Sequence, residues 1–477
     1  MRKLTTILAI GLMSATVLSA QDFDRQVLAT EHITGTARYV GMSGAMTAVG
    51  GDVSAAVDNP AGLGVFRRSE LSITIDGGVN TAITSAARNS NNRSYVPQIS
   101  WVINFQEKGK TAGWIANNIL LQFHRIGNYK RGSIYQGRYS TSLTDIMADA
   151  TNGLSRLEMD DANAWDNADI GWLSLHGYKD SLIYPVGAGS TAWLSILNNG
   201  EQVNSKLEVA EYGGVNQYSF AYGANISNRY YWGLSLNLLT NNYSKVTNYS
   251  ETFDLGGSMK IRSSFTSKGI GFSAALGFIA RPVKGLRIGA SIHSPSISKL
   301  TTSNTSYSSS VLSGALFVAD PKMTINTDVT KYTLPLKTTF GVAYTFSTKA
   351  MISFEYDYRY QLKRAIADQH RFKIGFEAVP LNNLFVRGGY SYSSTFKSDL
   401  VFIPDITDTR TDCEAYNIRN IHYASVGIGY RSRRWVIEGA YQFSVEQGNM
   451  YMHGMQAEPL QLTSMDNHIV ITFAWRY

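Results

Sequence analysis

The sequence predicts an all-β chain closed into a 14-stranded antiparallel transmembrane β-barrel. Three observations lead there: a secretory leader, side-chain alternation of period two, and connections that alternate between short and long. The leader comes first in the chain. Arg2 and Lys3 precede an apolar stretch from Leu4 to Leu18 and a small-residue exit at Ser19 and Ala20, so residues 1–20 read as a signal peptide cleaved after Ala20. The apolar stretch is shorter than the roughly 20 residues a membrane helix needs, and no later segment is apolar for that length, which excludes a helical membrane protein. The single cysteine, Cys413, lies far from the cleavage region, so neither a lipid-modified N-terminal cysteine nor a disulfide framework is available.

Composition narrows the class further. With 44% hydrophobic residues, 28 Tyr, 20 Phe and 42 Gly, the chain suits many aromatic-rich strands joined by polar loops. The net charge of +7 is scattered through turns and strands rather than gathered into a patch, so no nucleic-acid partner is expected.

The alternation begins near residue 68 and puts one set of side chains on each face of a sheet. In Gly269 to Phe278, Ile270, Phe272, Leu276 and Phe278 share one face and small residues the other. In Ile352 to Tyr358 the apolar face opposes Ser353, Glu355 and Asp357; Phe372, Ile374 and Phe376 oppose Lys373 and Glu377; Trp435, Ile437, Tyr441 and Phe443 oppose Glu438 and Gln442. A soluble sheet alternates in the same way, so the connections must decide. Fourteen strands are predicted near 68–80, 94–106, 112–127, 212–226, 230–247, 258–278, 284–297, 332–347, 349–361, 368–378, 383–395, 419–431, 433–446 and 464–477. Links near Lys108, Arg229, Val283, Thr348, Leu381 and Ser432 are short. Those at 81–93, 128–211, 248–257, 298–331, 362–367, 396–418 and 447–463 are longer. That sorting fits periplasmic turns and outer loops of a barrel in the outer membrane, and a soluble sandwich has no reason for it.

The last strand carries a separate sign. From His468 to Tyr477 the outward set is Ile469, Ile471, Phe473, Trp475 and Tyr477, with Trp475 and Tyr477 in the inner aromatic girdle. Each unpaired backbone group facing hydrocarbon costs several kcal/mol, so the first and last strands must pair. Wall side chains alone cannot fill a barrel of that size, which therefore holds water or a plug.

Residues 21–67 do not alternate and are rich in Gly, Ala and small polar residues, chemistry suited to a compact plug, while 68–477 form the barrel. The run from Gly41 to Leu63, with Asn59, Pro60, Ala61 and Gly62 as its motif, resembles the N-terminal hatch of the FadL-type transporters of long-chain fatty acids and aromatic hydrocarbons. The likeness extends over the whole mature chain, through the strand count and the terminal aromatic.

That resemblance implies capture of a small hydrophobic ligand by apolar outer loops, passage past a plug, and sideways release into lipid at a kinked third strand. Capture falls to Trp165, Ile170, Trp172, Leu173, Trp193, Leu194 and Leu197 in one loop and to Val311, Leu312, Leu316 and Phe317 in another. The same residues would serve equally as helices capping the barrel. The third strand loses its alternation at Asn117 and Asn118, where either a bulge shifts the register or Asn117 faces lipid; this is the expected lateral gate. Arg387 and Lys373 are the candidate partners of a ligand carboxylate, although lumenal charges are expected chiefly to pair with one another. No nucleophile-base set and no metal-ligand spacing marks an enzyme, and no cofactor is expected. The chain is expected to be a monomer in outer-membrane lipid. A second reading is a barrel of the PorV type, which shares the FadL-like barrel and binds exported proteins for a secretion system.

Overall fold

The computed structural model describes residues 31–477 apart from 85–86, 108, 199, 320–325, 334, 347–348, 361–367, 395–408 and 454–458. The leader lies outside the described residues. Twenty strands are described: β1 (Glu70–Ile83), β2 (Arg88–Gln106), β3 (Trp114–Asn128), β4 (Arg131–Tyr139), β5 (Ile183–Pro185), β6 (Trp193–Ser195), β7 (Val203–Ile226), β8 (Tyr230–Phe253), β9 (Ser258–Ala280), β10 (Leu286–His293), β11 (Ile297–Leu312), β12 (Ala315–Ala319), β13 (Asn326–Thr333), β14 (Leu336–Thr345), β15 (Ala350–Tyr360), β16 (Gln369–Leu381), β17 (Leu384–Ser394), β18 (Ala415–Arg431), β19 (Trp435–Tyr451) and β20 (Leu460–Arg476).

Hydrogen-bond pairing reduces these to a closed antiparallel barrel of 14 positions. β4 prolongs β3 along β7, β11 prolongs β10 along β9, and β13 prolongs β14 along the β10–β11 position. The circle closes between β1 and β20, in register from Glu70 opposite Arg476 to Ile83 opposite Thr463, so no edge faces hydrocarbon. Among the described residues β12 pairs only with β11, and β5 with β6 forms a separate small hairpin.

The alternation read from the sequence sets the faces. Phe272, Ile270, Ile471 and Phe473 point outward and are exposed, while Ser72, Thr74, Glu355, Lys373 and Glu438 point inward and are buried. The outward face is thus an apolar belt, and the chain is an outer-membrane β-barrel. Aromatic rings gather at the short-turn end: the Trp101 indole donates to the Tyr477 hydroxyl at 2.6 Å, and Trp435 tilts against Trp475 with ring centroids 6.2 Å apart.

Two expectations need correction. Apart from the link between Tyr360 and Gln369, the outer connections are shorter than predicted because the strands continue past the membrane: β7 and β8 each have 24 residues, against the roughly 9–11 that span hydrocarbon. In their outer halves the two faces exchange chemistry: Asn204, Lys206, Asn248 and Ser250 point outward, while Val203, Leu207, Val209, Tyr249 and Phe253 are buried on the inward face, so the outward apolar alternation that marks a strand in lipid ends while the backbone ladder persists. The described residues of 298–331 likewise form strands rather than a long loop or helices. Val311 and Leu312 end β11, Leu316 and Phe317 lie in β12, and Ser313 and Gly314, both with positive φ, form the two-residue turn between them.

Residues 31–66 lie inside the barrel as short helices, Ala37–Gly41 and Ala55–Asp58, and a 3-10 turn, Pro60–Val65. Nearly all of this segment is buried. It lies directly against inward glycines of the wall. A Cβ on Gly233 would sit 2.4 Å from the Pro60 carbonyl carbon, and one on Gly277 would sit 1.9 Å from Asn59 Oδ1. Only a residue without a side chain lets the plug backbone come that close.

Candidate functional site

Asn59 anchors the plug. Its Oδ1 accepts from the Ala61 amide at 3.0 Å, and its Nδ2 donates to the Thr47 carbonyl at 2.9 Å and to the Phe278 carbonyl of β9 at 3.3 Å. Pro60 follows at the start of the 3-10 turn, where its missing N–H leaves nothing unsatisfied. Gly62 touches Gly50 inside the plug, and Gly41 meets Gly427 on β18 with 3.3 Å between a would-be Cβ and the Gly427 Cα. Gly41 and the four motif residues therefore lie in contacts within the plug or between plug and wall.

Charged pairs fix the remaining faces. Asp58 accepts from Lys337 at 2.6 Å and from the Tyr39 hydroxyl, while its carbonyl accepts from Ser291 at 2.6 Å. Lys373 lies 2.6 Å from Glu355, 3.0 Å from Asp357 and 3.5 Å from Asp58. The Glu355 carboxylate also accepts from the Thr47 amide of the plug at 2.7 Å. Arg38 of the plug makes a two-pronged pair with Glu377, at 2.9 and 3.0 Å, and Arg387 bridges Glu377 and Glu438 at 2.7 and 2.9 Å. Lys373 and Arg387 are thus held by the barrel's own carboxylates, and a ligand acid would have to displace them.

The outer end is closed by residues 140–202. Helices Leu143–Thr151 and Trp172–Lys179 pack with the β5–β6 hairpin in one apolar core that includes Ile170, Trp172, Leu173 and Trp193, all buried. Trp165 packs edge-on against Trp172 at 6.0 Å, and Leu197 and Leu312 lie against the same core. Leu194, Val311 and Leu316 are exposed instead, and Phe317 is half-buried. Of the apolar residues expected to capture ligand, most are brought together as the cap's own interior, and only the exposed ones face outward.

The cap is tied down by His176, whose Nδ1 lies 2.5 Å from Ser308 Oγ and whose Nε2 lies 2.6 Å from Ser306 Oγ, both on β11. Burial lowers the His176 pKa to about 3 and raises that of nearby Asp180 to about 7.

The wall itself is uneven. The β2–β3 ladder runs only from Gln98 opposite His124 to Gln106 opposite Ala116, although β2 continues outward to Arg88 and β3 to Asn128. Pro97, which has no N–H to donate, stands at the fork. Contact resumes where the Thr84 hydroxyl donates to the Ile134 carbonyl at 2.8 Å. Between these points the Arg125 guanidinium lies over the Tyr95 ring, 5.5 Å from its centroid. The plug reaches this fork: the Thr34 hydroxyl donates to the Arg125 carbonyl at 2.9 Å, and His124 Nε2 lies 3.2 Å from Thr34 Oγ1.

Asn117 and Asn118 lie lower, in the continuous part of that ladder, opposite Phe105 and Asn104. The irregularity of β3 against β7 falls beside them, between Trp114 and Ala116, and a second lies between Arg125 and Gly127. Asn117 is on the outward face, where its oxygen accepts from the Tyr222 hydroxyl at 2.5 Å and from the Trp114 indole. Asn118 points inward and donates to the Leu63 carbonyl of the plug at 2.8 Å. Outside the wall, an open apolar groove of about 1440 Å³ runs across β1–β3 and β7–β11, lined by Leu71, Trp101, Phe123, Phe220, Leu236 and Phe272.

Sequence reading missed Thr34, Tyr95, His124 and Arg125, which become neighbours only through the barrel's closure. One sign was present, Pro97 in the middle of a strand pattern.

The sequence matches no family model and no curated protein. The structure is similar to the toluene transporter TodX of Pseudomonas putida, at 14% identity and TM-score 0.50, covering 93% of this chain and 99% of that one. It is also similar to a FadL homologue of Pseudomonas aeruginosa, at 10% identity and TM-score 0.53, covering 94% of this chain and 99% of that one. A barrel closed between its first and last strands, filled by its own N-terminal segment and matched in fold along nearly its whole length, makes the chain an outer-membrane β-barrel of the FadL-type fold.

Proposed function

We propose that this barrel carries small hydrophobic molecules, fatty acid-like or aromatic, inward across the outer membrane. The fold it shares with a toluene transporter and a FadL homologue supports that reading. Ligand meets the exposed apolar residues of the cap, passes it and the hatch of residues 21–67, and leaves sideways into lipid. The observation that carries the proposal is the fork beyond Gln98 and His124: an interruption of the wall, stopped from inside by Thr34 of the plug, in a barrel whose outer face bears a large apolar groove. Withdrawal of residues 31–36 alone would free the fork, while Asn59 keeps the rest seated. We therefore favour the fork, rather than Asn117 and Asn118, as the exit.

Lateral release suits an apolar cargo, because the ligand never has to leave a nonpolar surface for water. The test tethers the fork. Asn91→Cys and Gly132→Cys, whose positions face each other across it, are joined by a short reducible crosslinker in a Cys413→Ala background. Uptake of toluene and oleate into proteoliposomes should fall about tenfold on crosslinking and return on reduction. Uptake unchanged by the tether would remove the exit, and absence of uptake by the untethered protein would remove the transport reading. Stable co-purification with exported proteins would instead favour the secretion-system role.

A further inference from the structure

The short-turn mouth of the barrel holds a second cavity, of about 410 Å³, that the route above does not use. Six arginines line it: Arg38, Arg67, Arg68, Arg287, Arg431 and Arg476. Three pair with wall carboxylates, Arg38 with Glu377 at 2.9 Å, Arg431 with Glu438 at 2.8 Å and Arg476 with Glu70 at 2.6 Å. The other three have neutral acceptors among the described residues. Arg287 donates to the Val49 carbonyl, Arg67 to the Asn228 side-chain oxygen, and Arg68 to the Arg433 carbonyl at 2.7 Å.

A neutral oxygen satisfies one N–H and leaves the positive charge uncompensated. Arg287 makes the case sharpest. It rises from β10 into the mouth, half-buried beneath the turn formed by Gly50 and Gly51, both of positive φ. A partly desolvated guanidinium without a counter-charge is costly, and an oxyanion, which accepts from the guanidinium fork, removes that cost. Val65, Phe66 and Met351 supply apolar surface in the same cavity, which suits an anion carrying a hydrocarbon tail.

We propose that this mouth is a binding site for the oxyanion head group of an amphiphile, a carboxylate or a phosphate ester, held by Arg287 with Arg67 and Arg68 at the rim. The anion has two sources, a free organic acid or a phospholipid of the adjacent leaflet. The site requires neither the plug to move nor the fork to open, so it stands apart from the transport proposal.

Calorimetric titration of the full-length mature barrel in an uncharged detergent tests it, with hexanoate, hexanol and glycerol 3-phosphate as water-soluble probes. Hexanoate or glycerol 3-phosphate should bind, hexanol should not, and binding should weaken about tenfold both in Arg287→Gln and in the double variant Arg67→Gln, Arg68→Gln. Preference for hexanoate identifies a free acid as the source, and preference for glycerol phosphate identifies a lipid head group. The rim variant is solvent-facing and keeps the test open if Arg287→Gln fails to fold, which loss of heat-modifiable gel mobility would reveal. Binding by hexanol equal to that of hexanoate, or anion binding unchanged in the folded variants, overturns the proposal.

Discussion

The two sides of the barrel wall differ in how they are built. Along β7, β8 and β9 the ladders are unbroken, with β7 paired to β8 from Val203 opposite Phe253 to Ile226 opposite Tyr230. That wall receives the Asn59–Pro60 turn against Gly223, Gly233 and Gly277. Along β2 to β4 the ladder forks at Pro97, and along β10–β11 and β13–β14 it is interrupted at Ser294–Ser296 and beside Pro335. The plug is fastened to the continuous wall by backbone contact and touches the fork through single side chains such as Thr34. A barrel can thus hold its plug firmly on one side and release part of it on the other.

The two walls should differ most in their response at Gly233. Gly233→Leu drives a side chain into the Pro60 backbone, so the turn must leave its seat; overpacking costs about 1–3 kcal/mol. Planar-bilayer conductance and sensitivity to large antibiotics should rise by at least about tenfold, and an unchanged conductance would show that the turn does not seal the lumen. Asn59→Ala removes three hydrogen bonds and should destabilise the plug by about 2 kcal/mol, read as faster hydrogen exchange in residues 47–66.

At the fork the expected effect is smaller and of a different kind. Thr34→Val loses the hydroxyl's contacts with the Arg125 carbonyl and His124, about 1 kcal/mol, and should speed ligand release a few-fold while leaving ion conductance at wild-type values. A rise in conductance equal to that of Gly233→Leu would erase the distinction between the walls.

The smallest effect belongs to the cap. Asp180, with a folded pKa near 7, stabilises below its unfolded value and loses that contribution as pH rises toward 7. His176, with a folded pKa near 3, stabilises above its unfolded value and loses that contribution as pH falls below about 6.5. The slopes oppose each other between about pH 4 and 6.5, so exchange in helix Trp172–Lys179 should be nearly flat there. Asp180→Asn should expose the histidine alone, with the helix loosening as pH falls below about 6.5.

Much of the architecture was legible before the fold was known. Ile469, Ile471, Phe473 and Trp475 announced both the last strand and its outward face, and all are exposed beside β1. Period-two alternation survives because lipid imposes one chemistry on every outward position. The cap was less legible: Trp172 and Trp193 are apolar in the sequence whether they meet ligand or each other's neighbours, and only packing shows that the cap buries them. Thr34 gave no signal at all, since a threonine in a small-residue run becomes significant only when Arg125 is brought beside it.

By itself the sequence determined the strands in lipid, their two faces and the closure, because each follows from local alternation or from the cost of an open edge in hydrocarbon. Tertiary structure alone decided which wall glycines admit the plug, where the ladder forks, and which arginines of the mouth meet neutral acceptors among the described residues. Those properties belong to pairs of residues far apart in the chain, such as Gly233 with Pro60, and no local pattern encodes a contact between two segments until the barrel has closed.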